Sequence, residues 1–162
     1  MARQQSEPPD AAGDAVVACA VVECALTVAA PQAAVFEFIA HAEDFPRHMP
    51  NVLSVEIVEQ TGGRRLTAWR TLLDGAPLNW IEEDTLEPPR RLSYRLIKGD
   101  IEHLEGEWLM EEAGQGTLLR ARLSYRLGVP IIEEVLGDIL REKVRLNLEA
   151  MLRAAKQSLE EG

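Results

Sequence analysis

Residues 131–159 read IIEEVLGDILREKVRLNLEAMLRAAKQSL. The spacing predicts one long helix whose apolar stripe runs through Ile132, Val135, Leu136, Ile139, Val144, Leu148, Met151, Leu152, Ala155 and Leu159. Upstream the pattern changes. Apolar residues alternate over six stretches, Val52–Glu59, Arg65–Leu73, Leu78–Leu86, Arg91–Ile97, His103–Met110 and Thr117–Leu127. Turn signals end each: Gly62-Gly63, Asp74-Gly75, Pro88-Pro89, Gly99-Asp100, Gly114 with Gly116, and Gly128 with Pro130. A further strand is expected over Val16–Val28, then a helix starting at Pro31 and carrying Val35, Phe36 and Ile39. A short helix or turn through Glu43 and Phe45 follows, closed by Pro46 and Pro50. Successive hairpins make an antiparallel sheet with one apolar face, and only the final helix is long enough to cover it. The expected fold class is α+β: a curved seven-stranded sheet around the C-terminal helix, with an internal cavity. Residues 1–14 (MARQQSEPPDAAGD) read as a disordered tail, and 15–162 as one domain.

The formal net charge is −10, from 27 acidic and 17 basic residues. Nucleic acid and anionic lipid both require basic patches, so neither is an expected partner. An uncharged, greasy small molecule is compatible with this charge. Cys19 and Cys24 carry no metal-ligand spacing, and His41, His48 and His103 are scattered. No metal and no cofactor is expected. Glu7, Asp10 and Asp14 precede the short apolar run Ala15–Val22, where a secretory signal carries positive charge. No run approaches transmembrane length. The expectation is a cytoplasmic protein without stable membrane insertion.

Phasing each strand separates two faces. Arg120, Arg122 and Arg126, Glu105 and Glu107, and Arg91 and Arg95 share the outer face, where solvated cross-strand ion pairs contribute little. His103 falls beside them and reads as a surface residue, and His48 reads as structural. The inner face gathers Trp80, Tyr94, Trp108 and Tyr125, joined by Trp69 if Thr67 and Thr71 point inward and Arg70 outward. These are five of eight aromatic residues, and each tryptophan and tyrosine carries a polar atom that needs a partner. A plain aromatic core under a helix is the competing explanation. In APLNWIEEDTLEP (76–88) the same parity places Leu78, Trp80, Glu82, Asp84 and Leu86 on one face. Two carboxylates in an apolar setting cost several kcal/mol unless they are wet, paired or protonated. Asn147 lies on or beside the helix stripe.

The run Leu96-Ile97-Lys98-Gly99-Asp100-Ile101-Glu102-His103-Leu104-Glu105-Gly106-Glu107-Trp108, with Gly116-Thr117 and Tyr125–Pro130, resembles the START-like (SRPBCC) superfamily. Val28-Ala29-Ala30-Pro31 and the Phe45-Pro46…Met49-Pro50 loop fit as well. The resemblance extends from about Ala25 to Lys156 and touches two branches. One is the polyketide aromatase/cyclases, the other the coenzyme Q-binding and ribosome-association toxin proteins. It implies a helix-grip fold with a deep pocket. In the cyclase branch it implies cyclisation and dehydration of a poly-β-keto chain, a substrate that an acyl carrier protein can present. Trp80 looks like the tryptophan of that branch. Departures stand beside it. Where those cyclases commonly place an inward arginine, this chain has Glu82 and Asp84, and the inward histidine and helix acid of some members fall at Leu123 and Met151.

The functional expectation is therefore a cyclase/aromatase-like protein. Glu82 and Asp84 are the candidate catalytic groups, either as base or as acid. Trp69, Thr71, Trp80, Tyr94, Trp108, Tyr125 and Asn147 are the expected lining for a small hydrophobic or aromatic ligand. Tyr94, Tyr125 or the indole N–H of Trp80 is the donor to an oxyanion. Two alternatives stand. One is a non-catalytic binder or carrier of a quinone, lipid or polyketide, with the acids at a wet mouth or paired with Lys98 or Arg70. The other is a ribosome-association module, which the acidic charge opposes.

Overall fold

Alternation is realised as seven strands of one antiparallel sheet in the order β1-β7-β6-β5-β4-β3-β2. The strands are β1 (Ala20–Val28), β2 (Val52–Thr61), β3 (Arg64–Leu73), β4 (Ala76–Glu87), β5 (Arg91–Gly99), β6 (His103–Ala113) and β7 (Gly116–Arg126). The computed structural model describes residues 19–161. The expected N-terminal tail, and residues 16–18 of the expected first strand, lie outside them. Between β1 and β2 come α1 (Gln32–Ala40) and a 3-10 helix (Ala42–Arg47) that contains Pro46. Pro31 caps α1 from the extended region rather than opening its first turn. The chain closes with α2 (Pro130–Glu161).

Hairpins set the register. Asp74 and Gly75 both take positive φ between β3 and β4, the left-handed conformation that a two-residue hairpin needs. Trp69 then stands opposite Trp80, Thr67 opposite Glu82, and Arg65 opposite Asp84. Asp84 faces Tyr94 on β5, and Tyr94 faces Gly106 on β6. The pairing of β4 with β5 is irregular between Ile81 and Glu82. On the outer face cross-strand ion pairs do form: Arg91 to Glu107 at 2.8 Å and Arg95 to Glu83 at 3.1 Å.

The apolar core lies between the concave face of the sheet, α1 and the C-terminal half of α2. Val28, Val35, Ile39, Phe45, Met110, Leu119, Leu152 and Ala155 are its fully enclosed members. Lys156 Nζ donates to the carbonyl oxygen of Thr27 and Glu160 accepts from the Ala29 N–H, which ties the end of α2 to the end of β1.

The single stripe expected on α2 is not what forms. Leu148, Leu152 and Ala155 are buried, with Leu140, Val144, Met151 and Leu159 packed beside them. Ile132, Val135, Leu136 and Ile139 are exposed, Val135 by 71% and Ile139 by 57%. The reason is angular. At about 100° per residue, the cluster 132–139 is centred roughly 150° around the helix from the cluster 144–155. Two apolar faces were strung into one, and only the C-terminal one meets the sheet.

Candidate functional site

Between the sheet and α2 lies a cavity of about 180 Å³. Its floor comes from β3, β4 and β5, its walls from β6, β7 and the 3-10 segment, and its roof from Val144, Asn147, Leu148 and Met151 of α2. Trp69, Thr71, Trp80, Tyr94, Trp108, Tyr125 and Asn147 all line it, as do Glu82 and Asp84. Strand parity brings these residues together. The cations expected to pair with the acids lie outside: Arg70 by the same parity, and Lys98, in phase with Tyr94 and Leu96, because the irregular β4–β5 pairing sets it opposite Ile81; both are exposed. Asn147 accepts from the side-chain amide of Asn51 at 2.8 Å, which joins α2 to the loop before β2.

Trp69 and Trp80 stack face to face, ring centroids 5.7 Å apart and 4° from parallel, because they are direct cross-strand neighbours. Phe45 meets the edge of this pair through Trp69. Both indole N–H groups are spent within the protein. Trp69 donates to Thr67 Oγ1 at 3.0 Å, and Trp80 donates to Glu82 Oε1 at 2.8 Å. The Trp80 N–H, one of the expected oxyanion donors, is therefore already taken.

The acids are dry and matched. Glu82 is 3% exposed and Asp84 1%. The partner of Asp84 is Arg65, a residue that strand phasing of β3 places inward with Thr67, Trp69 and Thr71 but that was not singled out from the sequence. Arg65 is itself buried. Its Nε donates to Asp84 Oδ2 at 2.8 Å and its Nη1 to the Ala40 carbonyl oxygen at 2.6 Å. Thr67 donates to the same Asp84 oxygen at 3.1 Å. The other oxygen, Asp84 Oδ1, is buried and lacks a partner when both acids are drawn ionised.

A proton on Glu82 is the one donor that the carboxyl pair can itself supply. Burial first, then the hydrogen bond to Asp84 and the repulsion of its charge, hold the Glu82 carboxyl well above the usual carboxylate range. The Trp80 N–H and the Arg65 charge oppose this and are outweighed. With the proton on Glu82, its hydroxyl is the donor that the Asp84 carboxylate needs. The cluster is then electrically neutral: one guanidinium, one carboxylate, one carboxylic acid. Buried charge is tolerable only in such a balance. Among the described residues, Arg65 is the one cationic side chain lining the cavity.

Tyr94 faces the same cluster. Burial, then the charges of Glu82 and Asp84, push its phenol above the ordinary tyrosine range, so it is a neutral O–H donor. Its hydroxyl sits over Gly106, where any Cβ would overlap both Tyr94 Oη and the Arg122 carbonyl oxygen. This gives the glycine of the Leu104–Trp108 segment a steric reason. Burial also raises the Tyr125 phenol. Neither hydroxyl has a hydrogen-bond partner among the described residues, so both remain available to a ligand.

The histidines are elsewhere. His48 stacks on Phe38 at 5.3 Å and bonds Ser158, in a shallow recess with Glu37, His41 and Asp44 on the far side of α1. His103 approaches Ser124 at 3.4 Å on the outer face. Among the described residues no cluster of His, Cys, Asp or Glu is arranged to hold a metal ion. No helix among them is long and apolar enough to cross a membrane.

Several solved structures share this architecture. A protein from Thermus thermophilus superposes with a TM-score of 0.82 at 24% identity, over 86% of this chain and 97% of that one. The Zhui aromatase/cyclase from Streptomyces sp. R1128 gives 0.75 at 25% identity, over 88% and 94%. A START superfamily protein from Mycobacterium smegmatis gives 0.75 at 18% identity, over 87% and 97%. The fold is thus the helix-grip fold of the START-like superfamily. No curated protein matches the chain at a significant level. The family described as "Polyketide cyclase / dehydrase and lipid transport" matches residues 28–152, and the chain belongs to it.

Proposed function

We propose that this protein binds a hydrophobic poly-keto or aromatic substrate in its cavity and promotes cyclisation and dehydration by acid–base chemistry, with Glu82 as the group that exchanges protons with the substrate. The carrying observation is a buried carboxyl pair lining an aromatic cavity, with Glu82 held well above the usual carboxylate range by burial and by Asp84. Dehydration of a β-hydroxy ketone removes a hydroxyl and a neighbouring C–H proton. Glu82 gives its proton to the departing hydroxyl, which leaves as water, and the resulting carboxylate takes the C–H proton. The pair ends as it began. The Tyr94 O–H donates to the carbonyl oxygen as enolate character develops. Asp84, spent on Arg65 and Thr67, stays behind Glu82 and supports its protonated form. Presentation of the substrate by an acyl carrier protein, and a cytoplasmic location, belong to the same proposal.

A volume of about 180 Å³ exceeds the roughly 150 Å³ of an engineered cavity that admits benzene. It suits a ligand portion of one or two rings. The competing reading, a carrier of a quinone, lipid or polyketide, is favoured by one specific fact: with the proton on Glu82, the hydrogen bonds of the acid cluster are satisfied within the protein.

Glu82→Gln discriminates between them. The amide keeps an oxygen for Trp80 and an N–H for Asp84, so fold and affinity persist. Turnover of a poly-β-keto thioester, followed by product chromatography, is expected to drop by about 100-fold or more, the usual worth of a positioned acid. Undiminished turnover in Glu82→Gln sinks the catalytic assignment. A wild-type protein that binds such compounds and returns them unchanged establishes the carrier.

A further inference from the structure

Two carboxyl groups on one strand, two residues apart, face a single guanidinium, and one buried carboxylate oxygen has no donor. Asp84 Oδ2 accepts from the Arg65 guanidinium and from Thr67, whereas Glu82 accepts from the neutral Trp80 indole. Arg65 is itself held from behind by the Ala40 carbonyl oxygen at the end of α1, so it cannot swing toward Glu82 without leaving a buried acceptor unpaired. All three side chains are buried. The groups that face the pair are Arg65 and Thr67 from β3, Trp80 from β4 itself and Tyr94 from β5; α2 contributes only Val144, Asn147, Leu148, Ala150 and Met151 to this cavity, none of them charged.

We propose that Arg65 is a positioning residue that fixes the proton of the acid pair on Glu82, by anchoring the negative charge on Asp84, so that Glu82 enters the reaction as the proton donor. A guanidinium at 2.8 Å from one carboxylate stabilises charge there far more than on its neighbour, because in a dry interior the interaction is weakly screened. The proton goes to the other acid. Asp84 Oδ1, otherwise an orphaned buried acceptor, then receives the Glu82 hydroxyl. The direction of the Glu82 shift agrees with this placement. The acid role assigned to Glu82 above rests on the cyclase reading, but the location of the proton does not.

The test reads the proton directly. Carbon-13 chemical shifts of the Glu82 and Asp84 side-chain carboxyls, assigned through Glu82→Gln and Asp84→Asn, are followed from pH 4 to 9 in the wild type, Arg65→Lys and Arg65→Gln. In the wild type at pH 7 the Glu82 carbon is expected at its protonated position and the Asp84 carbon at its ionised one. Arg65→Lys keeps that pattern, because it keeps the charge. Arg65→Gln divides the protonated signature between both carbons or transfers it to Asp84. If the wild-type proton resides on Asp84, the proposal fails. It fails too if a folded Arg65→Gln leaves both carbons unchanged. Should Arg65→Gln not fold, Arg65→Met, which keeps the apolar stem and removes the charge, is read in its place, and an unchanged pattern there overturns the proposal. Correct proton placement together with unimpaired turnover in Glu82→Gln upholds this inference while removing the catalytic role.

Discussion

Glu82 ties the chemistry of the site to the stability of the molecule. Its carboxyl is raised above the ordinary range in the folded state by burial and by Asp84, while in the unfolded chain it titrates near the model-peptide value of about 4.3. The folded state therefore binds this proton more tightly. Its contribution is complete below the unfolded pKa and is lost as pH rises toward the folded one. The limiting slope is a loss of about 1.4 kcal/mol per pH unit between those limits. Urea unfolding from pH 5 to 8 is expected to show stability falling with pH more steeply in the wild type than in Glu82→Gln, which cannot titrate. Parallel curves for the two proteins contradict a raised Glu82. At this scale the sequence was half legible. Parity along β4 placed both acids inward, and the cost of bare buried carboxylates demanded a partner. The partner expected at Lys98 or Arg70 is instead Arg65, because the register of β3 against β4 sets it opposite Asp84.

Among the elements, α2 shows the limit of reading periodicity over a long window. Leu148, Leu152 and Ala155 face the sheet, but Ile132, Val135, Leu136 and Ile139 do not. Each half satisfies helical spacing, and only a cumulative angle separates them. Leu152→Ala removes a fully enclosed side chain and is expected to cost about 2–5 kcal/mol. Ile139→Ala, on the exposed face, is expected to cost no more than about 0.5 kcal/mol. Chemical denaturation of the two variants compares the faces; equal losses would place Ile139 in the core. The strands were easier to read, because period two accumulates no such drift and each ends at a turn with its own chemistry. Gly106 illustrates the finer level: the sequence marks a glycine inside a strand, and the structure shows that the Tyr94 hydroxyl occupies the space of its missing side chain.

For the molecule as a whole, the central fact is an aromatic cavity whose indole and carboxyl groups are mostly satisfied internally, with two tyrosines in its lining whose hydroxyls bond no described residue. Such a cavity favours neutral, flat molecules bearing an oxygen. A two-ring phenol such as 2-naphthol is expected to quench the emission of the stacked Trp69–Trp80 pair. It is also expected to stabilise the protein by about 2.7 kcal/mol at a free concentration of 100 Kd. Naphthalene-2-carboxylate, of similar size but anionic, is expected to bind at least about 10-fold more weakly, because Arg65 is already committed to Asp84. Fluorescence titration and thermal shift measure both. Preference for the carboxylate would mean that Arg65 is free to meet a ligand.

Local sequence sets the order of elements, the hairpin punctuation, and the shared parity of Trp80, Glu82, Asp84, Tyr94, Trp108 and Tyr125, with Trp69 and Thr71 inward once the phase of β3 is chosen. These are local properties, set by side-chain alternation and turn stereochemistry within a few residues. Tertiary structure decided what each inward side chain meets. The Arg65–Asp84 pair joins residues 19 apart, the Ala40 carbonyl that braces Arg65 comes from 25 residues away, and the Asn51–Asn147 bond spans 96. Such partners follow from strand order and helix placement, which bring distant positions within hydrogen-bonding reach. The protonation of Glu82 is decided at that same level, since burial and neighbouring charge exist only once the sheet has closed around them.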